Sequence, residues 1–188
     1  PQPNLDHRQF LLTRVVHEGT IGDSDDEHAY ANRFECIPIE HEFRPELRTP
    51  KPRVHGIQTG VVVGRAQDEI YTDQFGRIRV KFHRDRHSGD NEQASCWIRV
   101  AQIWAGPGYG SVVIPRVGME VVVSFIDGNP DCPIVTGCVY DGVNTPPYPL
   151  PAEVTKTTFK TASSPGGDGF NELRFEDAAG GEEIYLHG

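Results

Sequence analysis

Apolar and polar residues alternate with a period of two in much of this chain, most clearly between residues 170 and 187. In Glu172-Leu173-Arg174-Phe175-Glu176, apolar positions interleave with charged ones, which predicts a half-buried strand. Asp177-Ala178-Ala179-Gly180-Gly181 reads as a turn, and Glu182-Glu183-Ile184-Tyr185-Leu186-His187 resumes the alternation. Leu173, Phe175, Ile184 and Leu186 then line one face. An isolated two-stranded hairpin is marginal in water, so this face calls for a partner. A second copy of the chain or further downstream sequence would supply it.

The same pattern recurs upstream, broken by 20 glycines and 15 prolines, and almost nothing has helical periodicity. Residues 10–17 and 30–39 read as two strands joined by the acidic loop Gly22-Asp23-Ser24-Asp25-Asp26-Glu27. A proline-punctuated stretch, 45–52, reads as a stiff linker. From 56 to 140 five strands are expected: the valine run 60–64; Ile78, Val80 and Phe82 alternating with Arg77, Arg79, Lys81 and His83; Cys96, Ile98 and Val100 alternating with Trp97, Arg99 and Ala101; then 119–126 and 134–139. Five strands in a segment of this size suit a small closed barrel of the OB kind. Asn144-Thr145-Pro146-Pro147-Tyr148-Pro149-Leu150-Pro151 reads as an extended, polyproline-like tether, followed by a polar strand at 155–161.

Composition narrows the function. The net charge is −9, and each section is acidic: 7 basic against 10 acidic residues in 1–55, 8 against 10 in 56–143, and 3 against 7 in 144–188. General binders of nucleic acid or anionic membranes carry the opposite sign. No apolar run is long enough to cross a membrane as a helix, and no signal-peptide pattern opens the chain. Pro1 and a single internal methionine, Met119, suggest a start within a longer protein. Cys36, Cys96, Cys132 and Cys138 are too few and scattered for a disulfide framework, and are expected as buried thiols of a reduced compartment.

A set of segments carries a resemblance. Glu69-Ile70-Tyr71-Thr72-Asp73-Gln74-Phe75-Gly76-Arg77, Val80-Lys81-Phe82-His83, Ser95-Cys96-Trp97-Ile98-Arg99-Val100 and Trp104-Ala105-Gly106 come first. Ile114-Pro115-Arg116-Val117-Gly118, Asp127-Gly128-Asn129-Pro130-Asp131, Ile134-Val135-Thr136-Gly137, Pro146-Pro147-Tyr148 and Asn171-Glu172-Leu173-Arg174-Phe175-Glu176-Asp177 follow in order. Together they resemble the VgrG spike proteins of bacterial type VI secretion, relatives of phage tail hub and puncturing proteins.

The resemblance implies an all-β protein: residues 1–55 ending a tube-like base domain, 56–140 an OB-fold neck, 141–168 the tether and first needle strand, and 169–188 the start of an intertwined trimeric β-prism that continues further. It implies a homotrimer whose needle interface includes Leu173, Phe175, Ile184 and Leu186. The partners it implies are the tube protein Hcp, a PAAR-type tip protein, and effectors or their adaptors. Assembly in the bacterial cytoplasm and translocation into target cells would follow. Phage relatives can carry a lysozyme domain between neck and needle, and here the tether runs straight into prism strands.

Other chemistry fits the sequence less well. Trp97, Phe82, Tyr109 and Trp104 beside Arg77, Arg79, Lys81 and Arg99 compose the ingredients of a single-strand nucleic-acid platform, the alternative function. Salt bridges to a neighbouring subunit are the preferred role for those cations, given the acidic balance. His83 and His87 lie on a strand running into a loop rather than on one helix face, and Asp25 and Asp26 lack the EF-hand spacing. No nucleophile elbow or phosphate loop is present. No catalytic, cofactor or metal residue is assigned, and no nucleic-acid partner.

Overall fold

The computed structural model describes residues 8–20 and 29–188, so the acidic loop at 22–27 lies outside the described residues. The chain divides into two units, Pro1–Lys51 and Pro52–Gly188.

In the first unit, β1 (Phe10–Thr20) pairs antiparallel with β2 (Ala29–Pro38), from Phe10 opposite Pro38 to Thr20 opposite Ala29. The register shifts between Leu12 and Arg14, where the Thr13 hydroxyl donates to the Glu35 carbonyl at 3.2 Å. Both strands match the alternating stretches of the sequence.

The second unit opens with a five-stranded sheet. Its strands are β3 (Gln58–Val63), β4 (Arg79–Phe82), β5 (Arg99–Val100), β8 (Glu120–Phe125) and β9 (Pro133–Val139), ordered β4-β3-β8-β9-β5. All neighbours are antiparallel except β5 and β9. Ile78 and Ile98, each just before an edge strand, exchange backbone hydrogen bonds of 2.9 and 2.8 Å. The two sheet edges are thus tied to each other, and the sheet curls around its core.

That core is Val62, Ile78, Val80, Ile98, Val121, Val123 and Val135, all β-branched, a composition that favours a pleated, tightly packed interior. The strand expected from Cys96 forms only at Arg99–Val100. The Ser95 hydroxyl takes the Val80 N–H at 2.9 Å, so a side chain replaces the ladder there. A short hairpin, β6 (Ala105–Gly106) and β7 (Tyr109–Gly110), forms where Gly106-Pro107-Gly108-Tyr109-Gly110 supplies a turn.

The proline-rich tether is anchored at its start and ends in turns. Asp141 accepts the N–H groups of Val143 and Asn144 at 2.7 and 2.6 Å, and the Asn144 amide donates to the Gly118 carbonyl at 3.0 Å. Residues 150–155 then form turns. Polar side chains that satisfy nearby backbone groups favour turns over an extended helix. The chain ends in a three-stranded antiparallel sheet, β10 (Lys156–Lys160), β11 (Glu172–Glu176) and β12 (Glu183–His187), with β11 in the middle.

Candidate functional site

Register fixes the two faces of this terminal sheet, because residues directly opposite on antiparallel strands share a face. Phe159 lies opposite Leu173, which lies opposite Leu186. Thr157 lies opposite Phe175, which lies opposite Ile184. Leu173, Phe175, Ile184 and Leu186 therefore stand on one face, as the alternation predicts. Phe159 joins them, and its position on a polar strand had hidden it. This apolar face is open to solvent: Phe159 is 60% exposed, Ile184 74% and Leu186 81%.

The opposite face carries the charges and is the covered one. Glu172, at 3% exposure, accepts hydrogen bonds from the Tyr148 hydroxyl at 2.5 Å and the Thr158 hydroxyl at 2.8 Å. Arg174 donates to Tyr148 Oη at 2.9 Å and to Glu183 at 2.6 Å, and lies over the Tyr185 ring at 4.4 Å. Lys156 sits 4.7 Å above the Tyr148 ring, and Lys160 4.2 Å above Phe170. The Tyr148 hydrogen bond, with Thr158, Lys160 and Arg174, holds the Glu172 carboxyl below its ordinary range against the upward push of burial. The Arg174 guanidinium is held charged chiefly by Tyr148 and Glu183. Tyr148 comes from the tether, so the proline-rich segment pins the charged face shut.

The terminal sheet is inverted relative to a soluble layer, with its ionic network inside and its apolar side chains outside. Solvent-exposed apolar patches of this kind mark interaction surfaces.

The other candidate groups do not converge. Trp97 packs against Tyr71 at 5.0 Å, Phe82 against Phe125 at 6.1 Å, and Trp104 against Tyr109 at 5.6 Å, three separate pairs rather than a platform. Arg77, Arg79 and Lys81 are not left for a neighbouring subunit either. Arg77 bonds Asp73 at 2.6 Å, Arg79 donates to the Ser95 carbonyl at 2.6 Å and covers Trp97 at 4.6 Å, and Lys81 donates to the Ser88 carbonyl. Loops of the same chain reach these cations first, which no strand periodicity reveals. Asp85 supports that loop, held well below the ordinary carboxylate range by Ser88 and by the Ser88 and His87 N–H groups. His83 meets Glu120 at 3.3 Å, and among the described residues no three potential metal ligands cluster. Cys36, Cys96 and Cys138 are exposed and Cys132 is half-buried, contrary to the expectation of buried thiols.

Comparison with known proteins matches both parts of the second unit. Residues 58–140 fit the family model of the type VI secretion system/phage-baseplate injector OB domain. Residues 157–188 fit the bacteriophage T4 gp5 C-terminal trimerisation domain. The type VI secretion system spike protein VgrG4b of Pseudomonas aeruginosa is 51% identical over 95% of this chain and 24% of its own length. This chain belongs to the VgrG spike family. The actin cross-linking toxin VgrG1 of Vibrio cholerae is 45% identical over 99% of the chain and 18% of that protein. Among solved structures, the E. coli c3393 protein, described as a component of the type VI secretion system, overlaps 73% of this chain and 32% of its own, at 25% identity and a TM-score of 0.43. The chain spans about a quarter of the length of the VgrG spike proteins it matches. The open apolar face falls within the residues matched to the trimerisation domain. No helix among the described residues is long and apolar enough to cross a membrane.

Proposed function

We propose that this chain is the neck and needle base of a homotrimeric spike, in which the apolar face of the terminal sheet packs against the same face of two further copies. One observation carries the reading: Phe159, Leu173, Phe175, Ile184 and Leu186 share an exposed face while Glu172 and Arg174 on the other face hydrogen-bond within the chain. Three sheets closing on a common axis would remove that surface from water and cover the free strand edges. Each Leu, Ile or Phe side chain so buried contributes ~1.5–3 kcal/mol before ordering costs. Leu173, Phe175, Ile184 and Leu186 are the proposed interface residues, with Phe159 added.

In this reading 56–140 is the OB neck, 141–168 the tether and first needle strand, 169–188 the needle base, and 1–55 the end of a base domain. The role is mechanical rather than enzymatic: a rod without loose edges is pushed through a target membrane. Assembly takes place in the bacterial cytoplasm before translocation. The tube protein Hcp, a PAAR-type tip protein and effectors are the proposed partners. A nucleic-acid role gains no support, since three of its four cations, Arg77, Arg79 and Lys81, are engaged within the chain and only Arg99 is left exposed beside them.

The test is native mass measurement of the full-length protein with and without the double substitution Ile184→Asp and Leu186→Asp. Three chains per particle are expected for the parent and loss of that species for the variant, with barrel stability unchanged. A variant that stays trimeric would place the interface elsewhere.

A further inference from the structure

The sheet and the barrel are joined by more than the tether. The loop between β10 and β11 lies against the barrel, and two charged side chains hold it there. Glu69, in the segment between β3 and β4, accepts the Gly166 N–H at 2.7 Å and hydrogen-bonds the Ser164 side chain. Arg116, just before β8, donates to the Ala162 carbonyl at 2.6 Å. Both barrel residues are themselves set in place, since the Val117 N–H donates to the Glu69 carbonyl at 3.0 Å. The loop is shaped for the contact: Ser163 N–H closes onto the Gly169 carbonyl at 2.8 Å, and Gly166 has φ +59°, which favours glycine.

We infer that Glu69 and Arg116 are positioning residues that clasp the 162–169 loop to the barrel and so fix the direction in which the terminal sheet presents its apolar face to other copies. This rests on the trimer reading above. Neither side chain belongs to the barrel core, and the sheet's own ladder and the hydrogen bonds of Glu172 and Arg174 do not involve them. Their hydrogen bonds go to the loop rather than to each other. The tether is held to the barrel by the Asn144–Gly118 bond and to the sheet by Tyr148, and it continues through bends and turns, so the clasp adds a second connection at the far side of β10. Phe159 also borders an apolar groove of about 200 Å³ with Val113 and Val135, but apolar contact is non-directional. The clasp adds direction, because charge-assisted hydrogen bonds have narrow geometry.

Three sheets must meet at once. If release of the clasp leaves each sheet correctly oriented about half of the time, the association constant falls roughly tenfold, because the fractions multiply over three chains. The experiment uses full-length protein bearing Glu69→Ala with Arg116→Ala, and separately Glu69→Gln, which keeps an acceptor for Gly166. Association is read from native mass against concentration. Orientation is read from the distance distribution between a spin label on the barrel and one on β10, exposed cysteines replaced by serine, in protein kept monomeric by Ile184→Asp and Leu186→Asp. The expected result is a broadened distribution and about tenfold weaker association for the double alanine variant, with an unchanged barrel melting temperature and recovery in Glu69→Gln. An unchanged distribution, or unchanged association despite a broadened one, overturns the clasp. A parent that does not trimerise sinks the trimer reading instead, and the distances in monomeric protein still decide whether the clasp sets direction.

Discussion

Tyr148 is the side chain on which the charged face of the terminal sheet depends. Its hydroxyl both donates to Glu172 and accepts from Arg174, so one oxygen satisfies two charged groups. Tyr148→Phe keeps the ring under Lys156 and removes only that oxygen, leaving a covered carboxylate and guanidinium short of a partner. The expected cost is ~1–3 kcal/mol, seen as a lower denaturant midpoint at unchanged slope. A bulky aromatic after two prolines gives no hint of this in the sequence, because its partners lie 24 and 26 residues away. The cations on and just before β4 teach the same lesson. Alternation places Arg77, Arg79 and Lys81 away from the core, while the loops that take their hydrogen bonds are set by the fold.

Among the elements, strands were the legible part. Alternation located β4, β11 and β12 because a sheet with one packed face needs a period of two, while apolar and β-branched runs located β1, β2, β3, β8 and β9. The reading overextended β5, where the Ser95 hydroxyl substitutes for the ladder, and it missed the turns that end the tether. The barrel also contains a close approach the pattern conceals. A Cβ on Gly60 would lie 2.6 Å from Val80 Cγ1 and 2.7 Å from the Lys81 carbonyl oxygen, so β3 can sit against β4 only with glycine there. Gly60→Ala is therefore expected to destabilise the barrel by ~1–3 kcal/mol through overpacking, measured by thermal or urea unfolding. An unaltered midpoint would mean that the β3–β4 pair shifts freely.

Acid sensitivity belongs to the whole molecule. Glu69, Asp73, Asp85, Asp141, Glu172, Glu176 and Glu182 are all held below their ordinary values of 4.5 for Glu and 3.8 for Asp. For Asp73 burial pushes upward, and the Arg77 side chain with the Arg77 and Phe75 N–H groups outweighs it. With depressed folded values, the unfolded chain binds more protons as pH falls through this range. The stability these groups contribute is complete above about pH 4.5 and is lost progressively below it. A melting temperature that is flat from neutral pH down to about 5 and then falls is the expected profile. A melting temperature that rises on acidification would contradict the carboxylate assignments.

The sequence by itself determined most of the strands, the inward and outward sides of those that alternate, and the shared face of Leu173, Phe175, Ile184 and Leu186, because side-chain alternation is a local consequence of the pleat. Tertiary structure alone decided that Phe159 completes their face, that Tyr148 seals the other, and that Glu69 and Arg116 hold the loop between the sheet strands. Those roles depend on which distant segments meet, and that is set by strand register and the curl of the barrel rather than by any neighbouring residue.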